Sequence, residues 1–290
     1  METSSLVRSI PITTSSTAET SVTAYGLSLA DPSKLYAATS QGIMYIFDWS
    51  NGLKLGRWKL GATVYGLQVW AESNIGNAFD ILYTREQIGS KWRISAHILR
   101  SEADARKTES KTVLSLPECV SHFKVMNKGG VIVAASEQRL LVGVAGGDQT
   151  DSLKDLKYVW RDVVTPATIT CLDVRMPVDE PVSRGKQHQP SRRDNPSNTV
   201  IDVVTGHSGG VILVHSDVLQ RLLRQEQQKN KSVDVRSSSR RMHWHRSAVH
   251  SVKWSLDGKQ LPIGYSARVN GIRQLHHIWW LRDRAGVVAA

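Results

Sequence analysis

A short alternating apolar segment, closed by a turn and answered by a second β-type run, recurs five times along this 290-residue chain and limits its fold more than any other feature. The leading segments are residues 22–29, 64–70, 120–125, 169–174 and 249–254, with starts about 40 to 80 residues apart. Period-two alternation marks a strand with one buried face, so each segment is expected to open a small antiparallel sheet. No apolar run approaches the roughly 18 residues of a membrane span. The opening Met1-Glu2-Thr3-Ser4-Ser5 lacks the basic and apolar stretches of a secretory signal. The chain therefore reads as soluble and intracellular, with no membrane partner.

The first unit is the clearest. Asp31-Pro32-Ser33-Lys34 turns the chain, residues 35–39 form a second strand, Gln41-Gly42 turns it again and residues 43–49 form a third. Asn51-Gly52 favours the positive φ angles of a two-residue hairpin, after which residues 54–60 supply a fourth strand. Four antiparallel strands in about 40 residues make one propeller blade. The second unit repeats the order with 79–85, 92–99 and 111–116, and the third with 131–136, 139–144 and 157–160, Gly146-Gly147-Asp148 forming a loop. In the fourth, residues 200–205 and 211–215 are the middle strands, joined through Gly206 and Gly209-Gly210.

Two insertions enlarge the fourth unit, at 176–198 and 217–241. The first is Pro-rich, polar and basic, the composition of a disordered loop. Within the second, residues 217–228 have a helical pattern, with Asp217 as the cap and Val218, Leu219, Leu222 and Leu223 on one face. The fold class is thus all-β, a partial propeller of about four to five blades with one short helical insertion. Residues 1–21 read as a flexible or partial-blade start, 22–261 as the propeller blades, and 262–290 as an atypical tail in which the expected strand pair is missing. A ring opening partway through a unit leaves strand edges, so the ends read as truncated.

Residues 244–259, Trp244-His245-Arg-Ser-Ala-Val249-His-Ser-Val-Lys-Trp254-Ser-Leu-Asp257-Gly258-Lys, resemble the opening of a WD repeat, in which Gly-His precedes the first strand and an Asp-Gly turn follows it. Trp244 stands where Gly is usual, and no Trp-Asp pair closes this unit. Phe47-Asp48-Trp49 occupies the aromatic and acidic region of the first blade in a different order. Together with residues 36–60, Ile169-Thr-Cys-Leu-Asp-Val-Arg175 and Ile201-Asp-Val-Val204, these segments resemble the WD-repeat nucleolar proteins of the small-subunit processome, the Net-one-associated type of fungi. The resemblance spans residues 22–261 and implies a non-catalytic scaffold of the transcription-associated subcomplex. It further implies partners among other processome WD-repeat proteins, pre-rRNA and small nucleolar RNA, a place in the nucleus and nucleolus, and a role in rRNA transcription by RNA polymerase I. A generic WD-repeat adaptor for another nuclear or cytoplasmic complex is the alternative.

Charge bears on partners more than on fold. The 37 Lys and Arg against 26 Asp and Glu give a net charge of +11, which suits a phosphate-bearing partner or a merely soluble basic surface. Arg184, Lys186, Arg192 and Arg193 lie in the first insertion; Arg221, Arg224, Lys229, Lys231, Arg236, Arg240 and Arg241 lie in and after the helix. Such clusters neutralise phosphates, act in nuclear import, or are simply solvated. Tyr25, Tyr65, Trp70 and Trp254 recur on the leading strands and read as blade core.

Other constellations carry little chemistry. His243-Trp244-His245 with His250 has no defined third metal ligand. Gly206-His-Ser-Gly-Gly210 lacks the Gly-Lys-Ser/Thr ending of a phosphate loop and joins strands. Cys119 and Cys171 have no partnering pattern and read as buried free thiols. No cofactor, metal, small-molecule substrate or catalytic residue is expected.

Overall fold

A computed structural model of the chain describes residues 20–74, 77–99, 108–146, 153–176, 200–228, 239–243, 247–255, 263–269, 272–278, 280–283 and 286–289. It divides into two compact units, Met1–Pro117 with Gly147–Lys157, and Glu118–Gly146 with Tyr158–Ala290.

The first unit holds two four-stranded antiparallel sheets. β1 (Val22–Leu27), β2 (Lys34–Thr39), β3 (Ile43–Asp48) and β4 (Leu53–Lys59) pair in sequence order, as do β5 (Thr63–Asn74), β6 (Asn77–Ile88), β7 (Lys91–Ile98) and β8 (Glu109–Leu116). Tyr36, Ala38, Met44 and Ile46 of one sheet bury against Val64 and Leu82 of the other. The carboxylate of Asp80 on β6 fastens the chain between β1 and β2: Ser28 and Tyr36 donate hydroxyls to Oδ2, at 2.5 and 2.7 Å, and the Leu29 and Ala30 N–H groups donate to Oδ1.

The turn between β3 and β4 is longer than the two-residue hairpin expected from Asn51-Gly52. It spans residues 49–52, because the Asp48 carboxylate accepts from the backbone of Ser50 and Asn51 and holds an extra turn open before Gly52 takes φ +74°. Gly42 is required where it stands: φ is +71°, and a Cβ there would lie 2.6 Å from the Ala62 carbonyl oxygen.

Among its described residues the second unit holds two four-stranded sheets, a three-stranded one and a two-stranded hairpin. β9 (Val120–Met126), β10 (Val131–Ser136), β11 (Arg139–Gly146) and β12 (Lys157–Val164) form the first; β13 (Ile169–Arg175), β14 (Asp202–His207), β15 (Val211–His215) and β16 (Arg240–His243) form the second. The α-helix α1 (Val218–Gln228) follows β15 and buries Val218, Leu219 and Leu222 beside Val131, Val133, Val142, Ile169 and Val203, so its apolar face is the one the sequence pattern marks. Gly206 lies inside β14 rather than in the turn after it. A Cβ there would meet Cys171 Sγ at 2.5 Å and Val249 Cγ1 at 2.6 Å, which is why the strand carries glycine at a point of close packing.

The segment after Leu261 also departs from expectation. β17 (Val249–Val252) pairs with β18 (Ile263–Val269), which pairs with β19 (Ile272–Ile278), so the strand pair read as missing is present in the fifth sheet. β20 (Trp280–Asp283) and β21 (Gly286–Ala289) form a separate hairpin. Residues 177–199, which contain most of the first insertion, lie outside the described residues.

A repeated signal underlies all four complete sheets. The second strands contain Ala37-Ala38-Thr39, Leu82-Tyr83-Thr84, Ala134-Ala135-Ser136 and Val203-Val204-Thr205, two apolar residues and then a hydroxyl, and each of these four hydroxyl residues is buried. A hydroxyl left in the interior must find a partner. Thr39 donates to the Ile43 carbonyl, while Thr205 pairs with His207 Nε2 at 2.9 Å.

Candidate functional site

Of the eleven basic residues singled out by sequence, Arg221, Arg240 and Arg241 have described side chains. Arg224 lies within α1 with its side chain outside the described set, and Arg184, Lys186, Arg192, Arg193, Lys229, Lys231 and Arg236 lie outside the described residues altogether. Arg240 and Arg241 belong to β16, the outer strand of the fourth sheet, rather than to a loop insertion. Arg240 pairs opposite Val214 and Arg241 opposite Leu213, and both side chains are exposed while Met242 beside them is buried. Arg221 sits half-buried in the first turn of α1, its N–H donating to the Asp217 carbonyl. These residues place positive charge along the margin of one sheet.

The aromatic reading of the leading strands divides. Trp254 packs partly buried against Cys171, Val204 and Val249, with the Arg175 guanidinium 4.3 Å from its ring centroid, and Trp70 is half-buried. Tyr25 and Tyr65, expected in the core, are 74% and 41% exposed. Register shifts at Val22/Ala24 and Val64/Gly66 set which neighbour faces inward, and Val64 is the one that turns to the core. Cys119 is likewise exposed; Cys171 is buried, and burial raises its thiol to about 11. His245 lies outside the described residues, and no group of three metal-binding side chains occurs among those described.

Sequence reasoning missed a buried polar cluster in the second blade. Antiparallel register sets Glu86 opposite Arg93 and Thr84 opposite Ser95, and alternation puts Arg93, Ser95 and His97 on one face of β7. Glu86 is fully buried and takes hydrogen bonds from Arg93 Nε, Ser95 Oγ at 3.2 Å, Thr84 Oγ1 at 2.5 Å and His97 Nε2 at 2.8 Å. With Nε2 donating to the carboxylate, the imidazole meets the Ser110 hydroxyl through Nδ1, 2.8 Å away. Burial alone would raise the pKa of Glu86. The hydrogen bond and charge of His97, the Thr84 hydroxyl and the charge of Arg93 outweigh that penalty and hold it below the ordinary range.

Over this cluster opens a cavity of about 310 Å³ in the first unit. Lys59 at the end of β4, Arg93 and Ser95 on β7, Ser110 and Lys111 on β8, and the ring of Trp58 line it, with His97 beneath. The Lys111 ammonium is held by the Lys154 carbonyl at 3.1 Å. None of the described residues lining the cavity carries a carboxylate.

A different titratable group sets an acid limit on the second unit. His215 on β15 is 3% exposed and its Nε2 has no hydrogen-bond partner among the described residues. Burial, with the nearby charges of His207 and Arg221, lowers its pKa from 6.5 to about 4. Because the unfolded chain binds this proton and the folded chain refuses it, stability is fully present above about pH 6.5 and falls as the pH drops toward 4, by about 3 kcal/mol. Urea unfolding across that window, followed by second-unit fluorescence, is expected to show this loss in the native chain and a markedly flatter profile in His215→Phe. Equal acid sensitivity in both would assign it to other groups.

No family model matches the chain, and no curated protein matches it. Among the solved structures similar to it, a chain in the crystal structure of the mitotic checkpoint complex matches with a TM-score of 0.51 at 13% identity, over 93% of this chain and 66% of that one. The β-propeller domain of Myceliophteria thermophila Cps50 (Swd1) matches with a TM-score of 0.50 at 11% identity, over 92% of this chain and 71% of that domain. This chain thus spans just under two thirds of the length of the first. Identity at this level speaks to fold alone. With four four-stranded antiparallel sheets, a three-stranded fifth, a two-stranded hairpin and one α-helix among the described residues, the chain has an all-β, partial β-propeller fold of four to five blades.

Proposed function

We propose that this chain is a non-catalytic propeller scaffold of ribosome biogenesis, which supports early pre-rRNA processing and small-subunit processome assembly in the nucleolus and contributes to rRNA transcription by RNA polymerase I. The observation that carries the reading is the pair of exposed arginines on β16, at the margin of a propeller blade in a chain of net charge +11. Their place in the sequence supports it too, since they adjoin the segment most similar to the processome WD-repeat proteins. Pre-rRNA is contacted through its phosphates, and other processome propellers through blade surfaces.

The tagged chain, recovered from nuclear extract at low and moderate salt, is expected to enrich 5′ pre-rRNA and processome propeller proteins. Binding of purified chain to a single-stranded 5′ pre-rRNA fragment should weaken steeply with salt. Joint replacement of Arg221, Arg240 and Arg241 by Gln should reduce the log–log slope by about 2, at roughly 0.7 for each phosphate that is no longer neutralised. Absence of RNA enrichment, with one signalling or ubiquitin-ligase partner in its place, would make the chain a generic WD-repeat adaptor, a reading that its likeness to propellers found in protein complexes also supports.

A further inference from the structure

The cavity of the first unit has a chemistry that the scaffold reading does not use. We propose that it binds a phosphorylated serine or threonine side chain of a protein partner. Three cations, Lys59, Arg93 and Lys111, and the Ser110 hydroxyl line one recess, and no described lining residue opposes them with a carboxylate. A phosphate monoester carries about −1.5 to −2 charge and three acceptor oxygens, so it matches this set of donors.

The donors are also fixed in advance. Glu86 holds Arg93 by Nε, which leaves the rest of the guanidinium fork for a ligand at a site the guanidinium already lines. Lys154 holds Lys111, and His97 pairs with Ser110. Donors held before binding lose less freedom on capture of an anion. Glu86 supplies the counter-charge from behind, through Arg93 Nε, so the recess keeps a positive face without leaving a buried cation unpaired.

Size and shape favour a phosphopeptide over RNA. A volume of about 310 Å³ is at the low end for ligand sites and takes one modified side chain. RNA is instead tracked by open basic grooves with aromatic faces free for stacking, and its diester phosphates carry one charge each. Here the one aromatic wall, Trp58, packs partly buried against the core shared by the two sheets.

The test uses the full chain and immobilised short peptides of degenerate sequence, each with a central phosphoserine or phosphothreonine, beside the same peptides unphosphorylated. The chain is expected to favour the phosphorylated set by about tenfold or more. Lys59→Glu, a reversal at an exposed strand end, and Lys111→Gln should each weaken that binding by about tenfold, about 1.4 kcal/mol, with an unchanged unfolding midpoint for Lys59→Glu. Equal retention of both peptide sets, or unchanged binding by Lys59→Glu, would overturn the proposal. So would displacement of the peptide by inorganic phosphate at equal concentration, which would reveal a simple anion site, or tighter binding of single-stranded RNA with the same sensitivity to Lys59→Glu. The inference goes beyond the scaffold reading and is separable from it, because the Arg221, Arg240 and Arg241 triple variant keeps the cavity whichever way the RNA experiment falls.

Discussion

Replacement of Glu86 by alanine is expected to destabilise the first unit by about 3 kcal/mol, at the lower end of what breaking a buried ion pair costs. The lower end applies because Arg93 is 25% exposed and recovers some hydration when its partner is removed, whereas Thr84 and His97 do not. The variant strands four donors, the Thr84 and Ser95 hydroxyls, His97 Nε2–H and Arg93 Nε–H, around a hole where the carboxylate stood. Glu86→Gln keeps one acceptor oxygen but sets an amide N–H against either His97 or Arg93, so it should lose roughly half as much. Urea midpoints with the slope held constant report both. A loss below about 1 kcal/mol for the alanine variant would mean that water replaces the carboxylate fully, and that the cluster adds little to the second blade.

The same residue ties stability to acid. Its pKa is held below the ordinary range, so its contribution is fully present above the unfolded-state value and is lost as the pH falls through the folded one. His215 works in the same direction at a higher pH, near its unfolded value of 6.5, and in the other unit. Acid titration should therefore weaken the second unit before the first. Glu86→Ala should remove the later loss and leave the earlier one in place.

Much of the architecture was legible because turn chemistry brackets the strands. β10 and β15 begin and end where the sequence places them, since both are continuous apolar runs and Gly209-Gly210 turns the chain into β15. The helix was legible from one-sided leucines. Two things were not. Tyr25 and Tyr65 each sit beside an apolar neighbour, so either phase of the alternation fits, and a bulge visible only in the pairing decides between them. The strands after Leu261 were hidden by a composition rich in Arg, His and Gly that breaks the apolar alternation of the earlier units.

The candidate sites divide in the same way. Charge counting finds Arg240 and Arg241, but β16 is too short and too polar to announce itself as a strand, so its arginines read as part of a loop. Arg93, Ser95 and His97 look like the ordinary wet face of an amphipathic strand. Their meeting with Glu86 depends on register, and their meeting with Lys59 on the packing of two sheets, neither of which one-dimensional spacing encodes. The repeating apolar-apolar-hydroxyl triplets of the second strands were in plain view and would have marked the interior polar positions.

Asp80→Ala is the second large effect, expected to cost about 3 kcal/mol through loss of the junction between the two sheets of the first unit. One carboxylate receives four hydrogen bonds, two from hydroxyls and two from successive backbone N–H groups, and hydrogen bonds to a charged group are worth about 1.5–3 kcal/mol each before they are shared. Tyr36 is 5% exposed and Ser28 4%, so neither hydroxyl regains bulk water when the acceptor goes. Burial and the charge of Asp80 together push the Tyr36 phenol well above its ordinary pKa, the mark of a hydroxyl committed to donating. Asp80→Asn tests the geometry without emptying the site. Its carbonyl oxygen still accepts from Leu29 and Ala30, and its amide reverses polarity towards Ser28 and Tyr36, whose oxygens can accept in turn. The asparagine variant should therefore lose only about 1 kcal/mol, and the Tyr36 phenol should titrate closer to its ordinary value by ultraviolet absorbance. If asparagine and alanine destabilise equally, the negative charge rather than the hydrogen-bond framework holds the loop between β1 and β2 to β6.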